Sequence, residues 1–184
     1  MNVMILSSSK EEIDDYYKSV ARSVAGYLAS SELDLVYGAS SSSMMGICYQ
    51  EFVKYNRNIY AFTTEKYCDD LRNLPMAKYY IRESTFDMKK AMFEKSDIIV
   101  VLPGGIGTLS ELLSYIEENR SNDKDIPIEV YDENGYYQEL FEMLSLMKNK
   151  GFIDEDTINT INISHNKDEF IQHIDNYLIR KRRR

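Results

Sequence analysis

Asp97-Ile98-Ile99-Val100-Val101-Leu102-Pro103-Gly104-Gly105-Ile106-Gly107-Thr108-Leu109-Ser110-Glu111 carries an unbroken apolar run into three glycines and then into a helical pattern. A run of five apolar residues bounded by turn formers reads as a strand buried on both faces, as in a parallel sheet. Glycines at the carboxyl end of such a strand let the chain turn tightly and let backbone N–H groups approach an anion. The helix predicted over Thr108–Glu118 adds unpaired N–H donors and a partial positive charge. Gly104, Gly105, Gly107 and Thr108 are therefore candidate phosphate ligands, with Thr108 either capping the helix or donating to a phosphate oxygen. The spacing is not that of a Walker loop, which needs Gly-Lys-Ser/Thr. A dinucleotide fingerprint starting at Gly105 would need glycine where Ser110 stands. Glu111 lies one turn into the helix, placed either to complement its N-terminus or to act on a neighbouring part of a ligand.

Outward from this stretch, short apolar runs alternate with amphipathic ones. Strands are expected at Val3–Leu6, Leu33–Tyr37, Ile59–Phe62, Tyr79–Arg82, Asp97–Leu102, Ile128–Tyr131 and Thr157–Ile163. Helices are expected over Lys10–Ala29, Ser42–Tyr55, Thr85–Lys95, Thr108–Glu118, Tyr136–Lys148 and Lys167–Ile179. The polar stretch Thr63–Met76 reads as a loop with a short helix, and Arg120–Asp125 as a charged loop. This alternation predicts a doubly wound α/β fold: a mostly parallel sheet with helices on both faces. There is no internal repeat and no linker, so residues 1–179 are expected to form one domain, followed by a basic tail over 180–184.

The chain has 184 residues, 43% hydrophobic and 28% charged, enough for one full core. Its 22 basic and 30 acidic groups give a net charge of −8, and five of the basic groups close the chain. An acidic body lacks the basic surface that a nucleic-acid backbone requires, so no nucleic-acid partner is expected. No apolar run is long enough for a membrane span, and no membrane partner is expected. Cys48 and Cys68 have no metal-like or redox-like spacing, and His165 and His173 are the sole histidines. These features predict no metal, no cofactor and a reducing, cytoplasmic setting.

Pro103-Gly104-Gly105-x-Gly107-Thr108-x-x-Glu111 resembles the signature of the LOG family, nucleotide-binding proteins long labelled lysine decarboxylases. The resemblance runs along nearly the whole chain. Val3–Ser8 is similar to the family's first strand and Gly-Ser-Ser loop. Leu35-Val36-Tyr37-Gly38 and Met44-Met45-Gly46 resemble its second glycine-rich loop, and Lys89-Lys90-Ala91 its Arg-Lys-Ala element. Asn134-Gly135-Tyr136-Tyr137 and Gly151-Phe152-Ile153 resemble its C-terminal segment. Leu6 departs from the first glycine, Ala39 and Ser40 from two glycines of the second loop, and Lys89 from an arginine. Lysine keeps the charge but loses the planar fork.

The resemblance implies a Rossmann-like fold and hydrolysis of the N-glycosidic bond of a nucleoside 5′-monophosphate, purine or cytokinin-like, to free base and ribose 5-phosphate. Glu111 and Lys89 would be catalytic. Gly104, Gly105, Gly107, Thr108, Ser7, Ser8, Gly38 and Lys90 would hold the substrate, a small-molecule nucleotide. It also implies a homodimer, for which Met88, Met92, Phe93, Leu112, Leu113 and Tyr115 could supply a surface or equally a core. The alternative is a module that binds a nucleotide or sugar phosphate without hydrolysing it. Lysine decarboxylation would require pyridoxal phosphate on a Schiff-base lysine and a larger scaffold.

Overall fold

The computed structural model describes residues 1–121 and 126–182. Seven strands form one sheet in the order β4-β3-β2-β1-β5-β6-β7, and every pairing is parallel. They are β1 (Asn2–Leu6), β2 (Asp34–Gly38), β3 (Ile59–Thr64), β4 (Lys78–Arg82), β5 (Ile98–Val101), β6 (Ile128–Tyr131) and β7 (Ile161–Ser164). The helices are α1 (Asp15–Ser30), α2 (Ser43–Lys54), α3 (Thr85–Lys95), α4 (Ile106–Ser121), α5 (Gln138–Asn149), α6 (Glu155–Asn159) and α7 (Lys167–Arg182).

Because parallel strands expose two faces to helices, the core divides in two. On one face Val3, Ile5, Leu35 and Val100 pack with Val24, Leu28, Phe52 and Phe170 from α1, α2 and α7. On the other, Met4, Leu6, Val36 and Val101 pack with Met92, Phe93, Leu112 and Tyr115 from α3 and α4. The central strands β1 and β5 are buried at all positions but Asn2, and their sequences are accordingly nearly continuous apolar runs. The helices from β1 to β3 turn one way and those after β5 the other, so the strand order reverses between β1 and β5. That reversal leaves a crevice beyond their carboxyl ends, where ligands of open α/β sheets sit.

Several expected boundaries move. Helix α1 starts five residues later than Lys10, because Asp14 supplies the cap and accepts the Tyr16 N–H at 2.8 Å. Ser42 does take the cap position of α2 but without a side-chain bond; Glu11 Oε1 accepts the Ser43 N–H instead, at 2.9 Å. A 3-10 stretch occupies Glu65–Asn73 within the expected loop. Thr157–Asn159 is helical rather than strand, since the short α6 forms first and β7 starts at Ile161. Arg120 and Ser121 finish α4, and the remainder of the expected charged loop, 122–125, lies outside the described residues. Arg180, Lys181 and Arg182, from the expected basic tail, form the exposed last turn of α7, and 183–184 lie outside the described residues. Among the described residues no helix is long and apolar enough to cross a membrane.

Candidate active site

A cleft of about 810 Å³ opens at the β1/β5 reversal. The ends of β1, β2 and β3, the loop after β5 and the first turns of α4 form its walls, and the 3-10 stretch forms its far rim. Ser7, Ser8, Gly38, Gly105, Gly107, Thr108 and Glu111 all line it. Met45, Phe62, Met88 and Tyr67 add an apolar side, and Lys10, Lys66, Asp69 and Asp70 add charge.

The glycines act in two ways. A Cβ at Gly104 would meet Thr108 Oγ1 at 2.1 Å, so only glycine lets the loop pass the first turn of α4. At Gly105 and Gly107 a Cβ would meet nothing within 4 Å and no positive φ demands glycine. Packing does not explain these two; an unobstructed approach to their backbone from the cleft does. Helix α4 begins two residues before Thr108, with the Leu109 N–H closing on Gly105 O at 3.0 Å. The N–H groups of Ile106, Gly107 and Thr108 are thus left without intrahelical acceptors. The Thr108 hydroxyl is not a cap. It is buried and donates to Ser7 O at 3.3 Å, tying this loop to the end of β1.

The other loop in the cleft has several of its donors engaged. Asp70 accepts the Ser41 N–H at 2.7 Å, the Ser41 hydroxyl at 2.5 Å and Asn73 Nδ2 at 2.9 Å. Burial works against the charge on Asp70, yet these bonds hold its carboxyl below the usual range. Glu11 takes the Ser43 N–H, and Ser8 O takes that of Met45 at 3.3 Å. Ala39 and Ser40 fit the loop without a left-handed backbone, which falls instead on Ser43 at φ 50°. Gly46 is required by contact, because a Cβ there would lie 2.0 Å from Ser41 O. The start of α4 offers the cleft three consecutive N–H groups without intrahelical acceptors.

Glu111 is half-buried in the cleft wall and accepts no hydrogen bond from the described residues. Burial pushes its carboxyl up to about 7, against the pull of the Lys89 ammonium, which lowers it. A carboxylate serving only to complement the helix N-terminus would bond to first-turn N–H groups and would be depressed. Glu111 does neither. Lys89 does not reach the cleft wall; its Nζ donates to Ser110 Oγ at 2.8 Å and lies 3.5 Å from Ser114 Oγ. Lys90 is exposed on α3, outside the cleft lining. Ser7 Oγ is buried with no hydrogen-bond partner among the described residues, although it lines the cleft. The neighbouring Cys48 thiol, which burial pushes up to about 12, feels the Ser7 hydroxyl without closing a hydrogen bond on it. Ser8 is half-buried, and its Oγ accepts the Lys10 N–H at 3.1 Å.

Asp70, Lys66 and Tyr67 were not singled out from sequence, since a polar stretch between strands gives no sign of which side chains turn toward a ligand. Met92, Phe93, Leu112 and Tyr115 are core, which leaves Leu113 as the exposed member of that group and Met88 on the cleft wall. A second cavity, about 170 Å³, lies at the other end of the sheet beside Glu129 and His173. Among the described residues no group of three or more His, Cys, Asp or Glu side chains is placed to hold a metal ion.

This architecture defines a Rossmann-like α/β protein with a ligand cleft at its strand-order reversal. A family model described as "Possible lysine decarboxylase" matches residues 45–174, and the chain belongs to that family, the LOG family of the sequence resemblance. It is 26% identical to the cytokinin riboside 5′-monophosphate phosphoribohydrolase LOG1 of Arabidopsis thaliana, over 89% of this chain and 78% of the relative. With LOG5 of the same plant it shares 27% identity over 93% of this chain and 74% of the relative. In fold it is similar to the molybdenum cofactor binding protein of Rippkaea orientalis, with TM-score 0.69, 15% identity and coverage of 96% and 97%. A molybdenum cofactor carrier protein from Chlamydomonas reinhardtii gives TM-score 0.70, 10% identity and the same coverage.

Proposed function

We propose that this protein hydrolyses the N-glycosidic bond of a nucleoside 5′-monophosphate, purine or cytokinin-like, to free base and ribose 5-phosphate. The observation that carries this reading is a carboxylate without a hydrogen bond, Glu111, in the same cleft as the free N–H groups of α4. The 5′-phosphate would sit on the N–H groups around Gly105, Ile106, Gly107 and Thr108, with Gly104 shaping the turn. The ribose would then lie against Ser7, Ser8 and Gly38, and the base against Met45, Phe62 and Met88.

As the C1′–N bond breaks, its electron pair leaves with the base, which takes up a proton, and positive charge develops on the ribose. Glu111 stabilises that charge and aligns the water whose oxygen bonds to C1′, and the proton this water loses balances the one the base takes up. Lys89 acts through Glu111, lowering its proton affinity, rather than by touching the phosphate. Relatives named as phosphoribohydrolases support the reaction class. The scheme needs no metal or redox cofactor and takes the protein as a cytoplasmic homodimer.

The test is chromatography of free bases after incubation with a panel of nucleoside 5′-monophosphates and the matching nucleosides, with Glu111→Gln in parallel. Release from monophosphates alone, lost in the variant, is expected; full activity in Glu111→Gln refutes the role. One observation favours a second reading, a module that binds without hydrolysis: the Lys89 ammonium is engaged by Ser110, away from the cleft wall. Under that reading a monophosphate raises the Tm and is recovered intact.

A further inference from the structure

The connection from β6 to α5 reaches the α4 anion cradle from behind. Tyr136 Oη donates to the carbonyl of Gly104 at 2.9 Å, and Tyr137 Oη donates to that of Leu102 at 2.8 Å. Neither tyrosine lines the cleft, whereas Gly105, the next residue of the bonded loop, does. No peptide bond here is cis. In a trans peptide the C=O and N–H of one unit point in opposite directions. Holding the Gly104 carbonyl on the tyrosine side therefore turns the Gly105 N–H the other way, toward the cleft.

No side chain on either flank restricts that peptide. Glycine stands on both sides of it, and a Cβ at Gly105 would meet nothing within 4 Å. A peptide between two glycines rotates at little steric cost. Rotated, it would present a carbonyl to an incoming phosphate in place of an N–H donor. The tyrosine that prevents this is itself fixed. Its ring packs edge-on against Tyr17 of α1 at 5.6 Å and against Tyr137 at 4.9 Å. The turn that delivers it bends through Asn134 and Gly135, at φ 72° and 70°, and Asp132 Oδ1 accepts the Tyr137 N–H at 2.8 Å.

We propose that Tyr136 is a positioning residue for anion binding: its hydroxyl locks the Gly104–Gly105 peptide with the N–H facing the cleft. Tyr137 supplies the contrast. Its hydroxyl is buried on a buried carbonyl, so its loss costs stability. Tyr136 is 43% exposed, so removing its hydroxyl costs the fold little.

The inference rests on the proposed function only for the choice of AMP as a probe. Wild type, Tyr136→Phe and Tyr137→Phe are compared by base release from AMP, by calorimetric titration with inorganic phosphate and with adenosine, and by Tm. For Tyr136→Phe, KM for AMP and Kd for phosphate should rise about tenfold or more, the loss of one ordered donor to a charged ligand. Its kcat should stay within about twofold, its adenosine affinity should not change, and its Tm should stay within about 2 °C. Tyr137→Phe should instead lower Tm. Unchanged phosphate affinity in Tyr136→Phe, or a loss equal for adenosine and phosphate, overturns the proposal. If the wild type binds phosphate but releases no base, the functional reading fails while the phosphate titration still judges Tyr136. A wild type that binds no phosphate overturns both.

Discussion

Gly104 and Gly105 are adjacent and identical, yet the structure assigns them opposite sensitivities to a single methyl group. At Gly104 the added Cβ would lie 2.1 Å from Thr108 Oγ1, 2.6 Å from its Cβ and 2.9 Å from its Cγ2. Thr108 is buried and bonded to Ser7 O, so it cannot swing aside without breaking the tie to β1. Gly104→Ala therefore forces a backbone shift of the overpacking kind, costing about 1–3 kcal/mol. For a chain of this length that is a fall in Tm of roughly 2–12 °C. Gly105→Ala meets no atom within 4 Å and no strained φ, so its stability should stay within about 0.5 kcal/mol of wild type. Its methyl instead occupies space that a phosphate would need, and KM for AMP or Kd for phosphate should rise about tenfold or more. Calorimetric melting and phosphate titration of the two variants measure both axes. Gly105→Ala binding phosphate like the wild type would remove this residue from the cradle, and Gly104→Ala melting like the wild type would refute the contact geometry.

With Glu111 near pH 7 and active as the carboxylate, base release should rise with pH through about 7. Because Lys89 pulls that carboxyl down, Lys89→Met should move the rise to higher pH; a pH–rate profile that does not move contradicts the coupling. Ser7→Ala removes a buried hydroxyl that has no partner, so it should leave stability unchanged or raise it by up to about 1 kcal/mol. It should also weaken AMP binding if the hydroxyl meets the ribose, and both effects are read from melting and titration. Glu129 is buried in β6 beside Ser164 and His173, and burial raises its carboxyl even though both neighbours bond to it. The folded state thus holds this proton to higher pH than the unfolded chain does. Its contribution is full below the unfolded glutamate value, about 4.3, and is lost as pH rises through the folded one. Wild type should lose stability relative to Glu129→Gln over that interval; a constant difference in Tm across it counts against the assignment.

Most of the sheet was legible because its signal is local. Ile98–Val101 is an apolar run of strand length, and its burial on both faces made alternation unnecessary; Ile128–Tyr131 has the same burial but carries Glu129 within it. The anion cradle was legible for a related reason: strand, glycines and helix follow one another without interruption. What stayed hidden depends on contacts distant in sequence. Nothing local says that Asp70 would cap a loop 29 residues earlier, or that the Tyr136 hydroxyl would close on a carbonyl 32 residues before it. Thr157 shows a second limit. A β-branched residue beside isoleucine suggests strand, but Glu155 and Asp156 after Asp154 favour a helix start, and that won.

The placement of Glu111 sets two effects against each other, and their order has consequences for the reaction. Helix α4 starts at Ile106, so Glu111 is past the first turn, where the favourable field of the N-terminus has largely decayed. Burial in the cleft wall outweighs Lys89 and raises the carboxyl. The free protein thus holds a carboxylate whose negative charge is poorly solvated and unbonded. A phosphate on the α4 N–H groups would make that charge less favourable still. A developing positive charge on the ribose between them would do the reverse, and it exists only as the glycosidic bond breaks. Stabilisation confined to that stage is what lowers a barrier, whereas a well-bonded carboxylate would be satisfied equally before and after. The absence of a hydrogen bond on Glu111 is therefore an argument for its proposed role, because the desolvation it suffers is already present in the folded chain before substrate arrives.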